Sequence, residues 1–209
     1  MCFWKTFIND QHFKNVCEIG VYRGDFANVI LSNCKSIESY HMIDPWKKLD
    51  NWNKPYNQND DIMERVYEKM LVSTKNFEKK RIIHRGETKN VINILEDKSL
   101  DFCYIDGDHT LRGITIDLIS IYPKIKDGGW IGGDDLCYNI FQHVESYEPT
   151  MIFPFVVHFA EAHHMDIYAI PHNQFLMKKS DGGGRFFDLV GIYKNSDMKF
   201  QFDKFKKCD

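Results

Sequence analysis

The sequence predicts an α/β fold: a mostly parallel sheet of seven strands that ends in an antiparallel hairpin. Three observations predict it. Short apolar runs alternate with stretches of helical periodicity. Acidic residues or glycines stand at the end of five of those runs or shortly after. Two later runs flank Ser180-Asp181-Gly182-Gly183-Gly184, a hairpin turn in composition.

Each element has its own signal. Asn15 to Gly20 (NVCEIG) is the first strand and Phe26 to Leu31 the helix after it. Tyr40 to Asp44 (YHMID) is a second strand that ends on an acid. Ile62, Met63, Val66, Tyr67, Met70 and Leu71 recur at helical spacing, so Asp60 to Lys75 is an amphipathic helix. Arg81 to His84 is a short third strand, and Val91 to Leu95 a short helix. Leu100 to Ile105 (LDFCYI) is the fourth strand. Leu111, Ile114, Leu118 and Ile121 line one face of a helix that stops at Pro123. Gly128-Gly129 opens the fifth strand, Trp130 to Gly133, and Phe155 to His164 forms a helix. Asp166 to Lys178 and Arg185 to Tyr193 are the two strands of the closing hairpin.

Composition bounds the function. The 209 residues carry 27 Lys+Arg against 30 Asp+Glu, a net charge of -3, and 43 % are hydrophobic. That suits one domain spanning residues 1–209 with a well-buried core, and excludes a disordered chain. No apolar run approaches the roughly 20 residues of a membrane span. Met1 to Thr6 lacks a cleavable signal pattern. Six scattered cysteines without a C-x-x-C pair, and no N-x-S/T sequon, predict a reducing, cytoplasmic setting. Cys17 and Cys103 fall inside apolar runs, where a free thiol behaves as a small hydrophobe. The mild acidity, without clustered Lys/Arg, argues against nucleic acid as a partner. Lys199 to Lys207 is basic with interleaved Phe, but Asp197, Asp203 and Asp209 temper it, so it reads as a packed or frayed terminus.

In an open parallel sheet, ligands bind outside the carboxyl ends of the strands. Polar residues stand at every such exit here: Glu18 and Gly20, Asp44, Gly86-Glu87, Asp106, and Asp134-Asp135. Glu18-Ile19-Gly20-Val21-Tyr22-Arg23-Gly24 spells E-x-G-x-x-x-G, whose glycines permit a tight turn and close approach to a ligand. It differs from the dinucleotide G-x-G-x-x-G. A carboxylate at Asp44 can accept both hydroxyls of a ribose; an Asp before Pro that merely starts a turn is the other reading. Asp106, Asp134 and Asp135 end two strands expected to be neighbours. Crowded carboxylates raise one another's pKa or take a cation, and hard oxygen ligands suit Mg²⁺, Mn²⁺ or Ca²⁺. Acids that cap helices and turns are the alternative.

Taken together, Glu18-x-Gly20-x-x-x-Gly24, Ile43-Asp44-Pro45-Trp46, Tyr104-Ile105-Asp106-Gly107-Asp108-His109 and Gly128-Gly129-Trp130-Ile131-x-Gly133-Asp134-Asp135 resemble the class I S-adenosylmethionine-dependent methyltransferases. The nearest flavour is the group of macrocin-type sugar O-methyltransferases and cephalosporin-hydroxylase-like proteins. The resemblance covers residues 13–195 and implies a three-layer, Rossmann-like methyltransferase fold. It implies that Glu18, Gly20, Tyr22 and Gly24 shape the methionine and ribose pocket. Asp44 would hold the ribose hydroxyls, Trp46 would also contribute to the cofactor site, Gly86, Glu87 and Thr88 would lie near the adenine, and Asp106 near the methionine amino group or a metal. It maps a Mg²⁺ or Mn²⁺ site onto Asp106, Asp134 and Asp135. The chain departs from many relatives in carrying Asp-Asp where they have His-Asp, and Thr110-Leu111-Arg112 where they have Ser-Tyr-Glu.

The reaction implied is methyl transfer to a hydroxyl of a small polar acceptor, a sugar by preference, with a catechol or phenol second and a non-catalytic binding subunit third. Proton removal from the hydroxyl helps transfer, and His109 is the first candidate base, Asp108 the second. Base methylation in nucleic acids is disfavoured, because the expected N/D-P-P-Y/F reads Ile105-Asp106-Gly107-Asp108 here. Acceptor recognition is expected from two lid segments, 46–59 and 137–154, whose aromatics suit a polar ring. A homo-oligomer is compatible with this reading, and no membrane partner is expected.

Overall fold

The computed structural model describes residues 2–193. The basic tail from Lys199 to Lys207 lies outside the described residues. In chain order the main elements are α1 (Cys2–Asp10), β1 (Asn15–Ile19), α2 (Asp25–Asn33), β2 (Ser39–Asp44), α3 (Asp60–Ser73), β3 (Arg81–Arg85), α4 (Thr88–Val91), β4 (Leu100–Ile105), α5 (Leu111–Ile121), β5 (Ile125–Gly133), α6 (Ile152–Ala162), β6 (Ile167–Ile170), β7 (Gln174–Lys178) and β8 (Phe186–Asp188).

The strands form one eight-stranded sheet in the order β3-β2-β1-β4-β5-β7-β6-β8. β3, β2, β1, β4 and β5 run parallel, while β7 is antiparallel to both β5 and β6. Alternation along the strands produces three layers. Cys17, Ile19, Cys103 and Ile105 pack with Ile114, Leu118 and Ile121 of α5 and with α6. Val16, Phe102 and Tyr104 face the other way, onto Trp4 and Ile8 of α1, Ala27 and Ile30 of α2 and Met70 of α3.

Helix ends follow local chemistry. Asn59 caps α3 by accepting from the Ile62 amide, and the Thr110 hydroxyl caps α5 by accepting from Gly113. Pro123 sits in the 3₁₀ turn that ends α5.

Three expectations need correction. The sheet has eight strands, not seven. The stretch from Asp166 to Lys178 is two strands, not one: the hairpin turns at Pro171-His172-Asn173, where His172 and Asn173 take the left-handed conformation (φ 70 and 56). The glycine-rich Ser180–Gly184 segment instead leads to β8, which adds in parallel to β6. The short helix expected at Val91–Leu95 begins earlier, at Thr88, and continues as a 3₁₀ turn over Ile92–Ile94. An N-terminal helix, α1, was not expected at all. None of the described helices is long and apolar enough to cross a membrane.

Candidate active site

The strand order reverses between β1 and β4, so their exits diverge and leave a crevice at the carboxyl edge. A cavity of about 510 Å³ opens there. Glu18, Asp44, Glu87, Asp106, Asp108, Asp134 and Asp135 all line it, as do Gly20, Tyr22, Gly86, Thr88 and His109. A net charge of -3 for the whole chain conceals this concentration of acid.

One half of the cavity is built from the exits of β1, β2 and β3. Asp44 accepts the Tyr22 amide on one oxygen (2.9 Å) and the Trp46 amide on the other (2.7 Å). The Val21 amide adds a further favourable backbone interaction, and the carboxylate keeps lone-pair capacity for another donor. Burial pushes the Asp44 carboxyl up, and the backbone donors oppose that. Glu18 is buried, accepts the Tyr40 hydroxyl at 2.6 Å, and is driven well above the usual carboxylate range by desolvation. Tyr22 and Trp46 both hold left-handed backbone (φ 49 and 40), conformations stored at functional loops at a cost of about 1–3 kcal/mol each.

Two residues expected to touch the cofactor do not line the cavity. Trp46 is fully buried, and its indole N–H donates to the Tyr22 carbonyl at 2.8 Å. It braces the β1 and β2 exits from behind. Gly24 caps α2 with φ 75, and a Cβ there would meet Met70 and Ser73 of α3 at 3.0 Å. Its role is helix packing.

The other half is a chain of polar contacts beyond β4 and β5. Asp135, with left-handed φ 58, presents one oxygen to His109 Nδ1 and accepts Gln142 Nε2 on the other at 2.5 Å. His109 Nε2 faces Asp106 Oδ1 at 3.3 Å, an ion-pair distance without good hydrogen-bond alignment. Burial alone would push His109 down, but Asp106 and Asp135 outweigh it and raise the ring from 6.5 to about 10. A general base needs an unprotonated nitrogen, and this arrangement offers none. Asp108 is occupied as well: it accepts the Thr110 amide at 2.9 Å and lies 3.7 Å from Arg112. Asp134 is different. Its Oδ1 accepts the Asp135 amide at 2.9 Å, and burial, with Asp106 beside it, pushes its carboxyl to about 6.

The lids carry residues that sequence reasoning missed. Lys54 is 6 % exposed, lines the cavity and donates to the Thr150 hydroxyl at 3.0 Å. Thr150 in turn donates to Gln142 Oε1 at 2.8 Å, which connects Lys54 to Asp135. Asn53 ties the lids together, donating to Glu148 Oε2 and to the Ser146 carbonyl, both at 2.7 Å. Of the aromatic and imidazole side chains in segments 46–59 and 137–154, Trp52, Tyr56 and His143 line the cavity, whereas Tyr138, Phe141 and Tyr147 do not. A lone Lys or Gln in an aperiodic loop carries no sequence signal. Asp117 of α5, buried beside the cavity and pushed by desolvation to about 7, was also missed, because it sat in a helical pattern.

The three aspartates were expected to hold a divalent ion. Among the described residues, no group of three His, Cys, Asp or Glu side chains is arranged to hold one. The His109 ring lies between two of the carboxylates, and Gln142 and the Asp135 amide take further oxygens. These side chains do not fit a metal in this arrangement.

A mostly parallel α/β sheet that reverses order at an acid-lined crevice and carries the antiparallel strand β7 beyond β5 defines the class of Rossmann-like cofactor-binding folds. The chain belongs to a methyltransferase-domain family, whose model matches residues 17–136. Solved structures of the same fold include a Staphylococcus aureus protein assigned provisionally as a caffeoyl-CoA O-methyltransferase (16 % identity, TM-score 0.61, covering 85 % of this chain and 80 % of that one). A Bacillus cereus O-methyltransferase in complex with S-adenosylhomocysteine is similar at 14 % identity and TM-score 0.59, covering 84 % and 78 %. So is an S-adenosylhomocysteine-bound methyltransferase of Podospora anserina, at 14 % identity and TM-score 0.58, covering 85 % and 76 %. No curated protein matches the chain significantly.

Proposed function

We propose that the chain is an S-adenosylmethionine-dependent O-methyltransferase acting on a hydroxyl of a small polar acceptor, a sugar by preference. The carrying observation is the single cavity that joins the Asp44 loop to the carboxylates beyond β4 and β5. Family membership supports methyl transfer, and the names of similar structures support oxygen as the acceptor atom.

The residues fit the cofactor. Asp44 keeps lone pairs for a ribose diol, and Gly86, Glu87 and Thr88 line the cavity on the β3 side, where an adenine would lie. Asp106 and Asp134 bring negative charge to the interior, which favours a cation such as a sulfonium. When bound, S-adenosylmethionine supplies an electrophilic methyl group.

The protein's part is to align and deprotonate. Trp52 and Tyr56 give the acceptor an aromatic wall, and Gln142 and His143 give it hydrogen-bonding groups. In-line alignment provides much of the acceleration. Asp134 replaces His109 and Asp108 as the proposed base, since a carboxyl near 6 is ionised at neutral pH yet still basic enough to take a proton. No metal step is part of this reading.

A calorimetric titration with S-adenosylhomocysteine tests the cofactor claim; absence of binding at millimolar ligand refutes it. Mass-spectrometric screening of sugars and phenols for a gain of one methyl group then tests the acceptor class. Turnover of phenols alone would displace the sugar reading.

A further inference from the structure

Three carboxylates at neighbouring strand exits invite a divalent cation, but the geometry points elsewhere. Such an ion needs several oxygens converging on one point, at about 2.0–2.1 Å for Mg²⁺. Here the imidazole of His109 stands between Asp135, which contacts Nδ1, and Asp106, whose Oδ1 lies 3.3 Å from Nε2. The ring is held there from its backbone, because the His109 carbonyl accepts the Met151 amide of the second lid at 2.8 Å. The other Asp135 oxygen is taken by Gln142 Nε2 at 2.5 Å, and Asp134 Oδ1 by the Asp135 amide.

A second cation is brought in by the first lid. Lys54 is 6 % exposed, donates to Thr150 at 3.0 Å, and among its nearest acids are Asp108 and Asp135. A buried ammonium is costly unless it offsets negative charge nearby.

We propose that His109, backed by Lys54, takes the place of a divalent cation, so that this protein neutralises its acceptor-side carboxylates with its own side chains and holds no resident metal there. The inference deepens the methyltransferase reading and rests on it for its meaning. It also separates this chain from the metal-assisted chemistry that its three aspartates suggest. The two lids then serve electrostatics as well as shape, since each contributes to holding one of the cations.

The test is a calorimetric titration of Mn²⁺ into the chain, with and without S-adenosylhomocysteine. The wild-type chain is expected to bind Mn²⁺ no more tightly than about 1 mM. His109→Ala, with its fold confirmed by thermal melting, is expected to bind one Mn²⁺ at least about tenfold more tightly than wild type, because the carboxylates are released. Adding Asp135→Asn should remove that gain. A wild-type site tighter than about 1 mM that Asp135→Asn abolishes overturns the proposal. So does a folded His109→Ala that gains nothing. Should Ala not fold, His109→Ser takes its place, and the wild-type titration decides on its own if neither does. Failure of the methyltransferase reading shows separately, as absent S-adenosylhomocysteine binding.

Discussion

Gly20 lies so close to Asp106 that a Cβ built on it would sit 2.0 Å from the Asp106 carbonyl oxygen. The backbone there also takes φ 85, a conformation that suits glycine. Clash and strain therefore coincide where β1 and β4 diverge to open the cavity. Gly20→Ala is expected to lower stability by roughly 2–4 kcal/mol and to abolish S-adenosylhomocysteine binding. Urea unfolding and calorimetry check both effects; a variant with unchanged binding would show that this contact does not shape the pocket.

Asp44 uses its two oxygens on two different backbone amides. An asparagine offers only one acceptor oxygen, and its amide group must then face a backbone N–H. Asp44→Asn should cost about 1–3 kcal/mol of stability and weaken S-adenosylhomocysteine binding by roughly tenfold or more. Equal affinity in the variant would remove Asp44 from the cofactor site.

Trp4 shows why part of the fold was hidden. It is fully buried, donates to Gln174 at 2.9 Å, and lies so close to Gly132 that a Cβ there would meet its ring at 2.4 Å. Trp4→Ala should destabilise the chain by about 3–5 kcal/mol, measurable by thermal or urea melting. The contact joins residues far apart in sequence, so no local pattern announces it. The turn at Pro171-His172-Asn173 was hidden for a different reason: it interrupts an otherwise continuous apolar stretch, and the glycine cluster nearby carries the stronger turn signal in composition. The acids were legible, because parallel topology sends every strand exit to one edge. Their pairing was not. Residue types said that His109 and the aspartates gather, but only the backbone at Asp135 and Met151 sets the ring between carboxylates instead of leaving it free as a base.

His109 also makes stability depend on pH. Its folded value, about 10, lies above the ordinary 6.5. A raised value means the folded state holds the proton more tightly. The contribution is complete below about 6.5 and is lost as pH rises toward 10, at no more than about 1.4 kcal/mol per pH unit for one proton. Wild-type stability from urea melts should fall more steeply across that window than that of His109→Gln. Parallel curves would mean that the ring is not held as a cation.

The catalytic limb runs the other way. Asp134, near 6, must be ionised to act as a base, so the rate of methyl transfer should climb as pH rises through about 6. Asp134→Asn should remove that limb and lower turnover by about 10²- to 10⁴-fold. If the limb persists in the variant, the base is another group.

Lys54 links the two lids to each other through a buried bond to Thr150. Asn53, next to it, reaches Glu148 and Ser146 through exposed hydrogen bonds, which contribute little. The Lys54 bond to Thr150 is buried, and a buried charged hydrogen bond is worth about 1.5–3 kcal/mol. Lys54→Met keeps most of the side-chain bulk and removes the donor. Amide exchange in residues 50–54 and 140–150 should then accelerate by about tenfold or more, while exchange in β1 and β4 is unchanged. S-adenosylhomocysteine affinity should stay within about twofold, because Lys54 is placed on the acceptor side. Unchanged exchange in both lids would mean that the exposed Asn53 contacts alone hold the clasp closed.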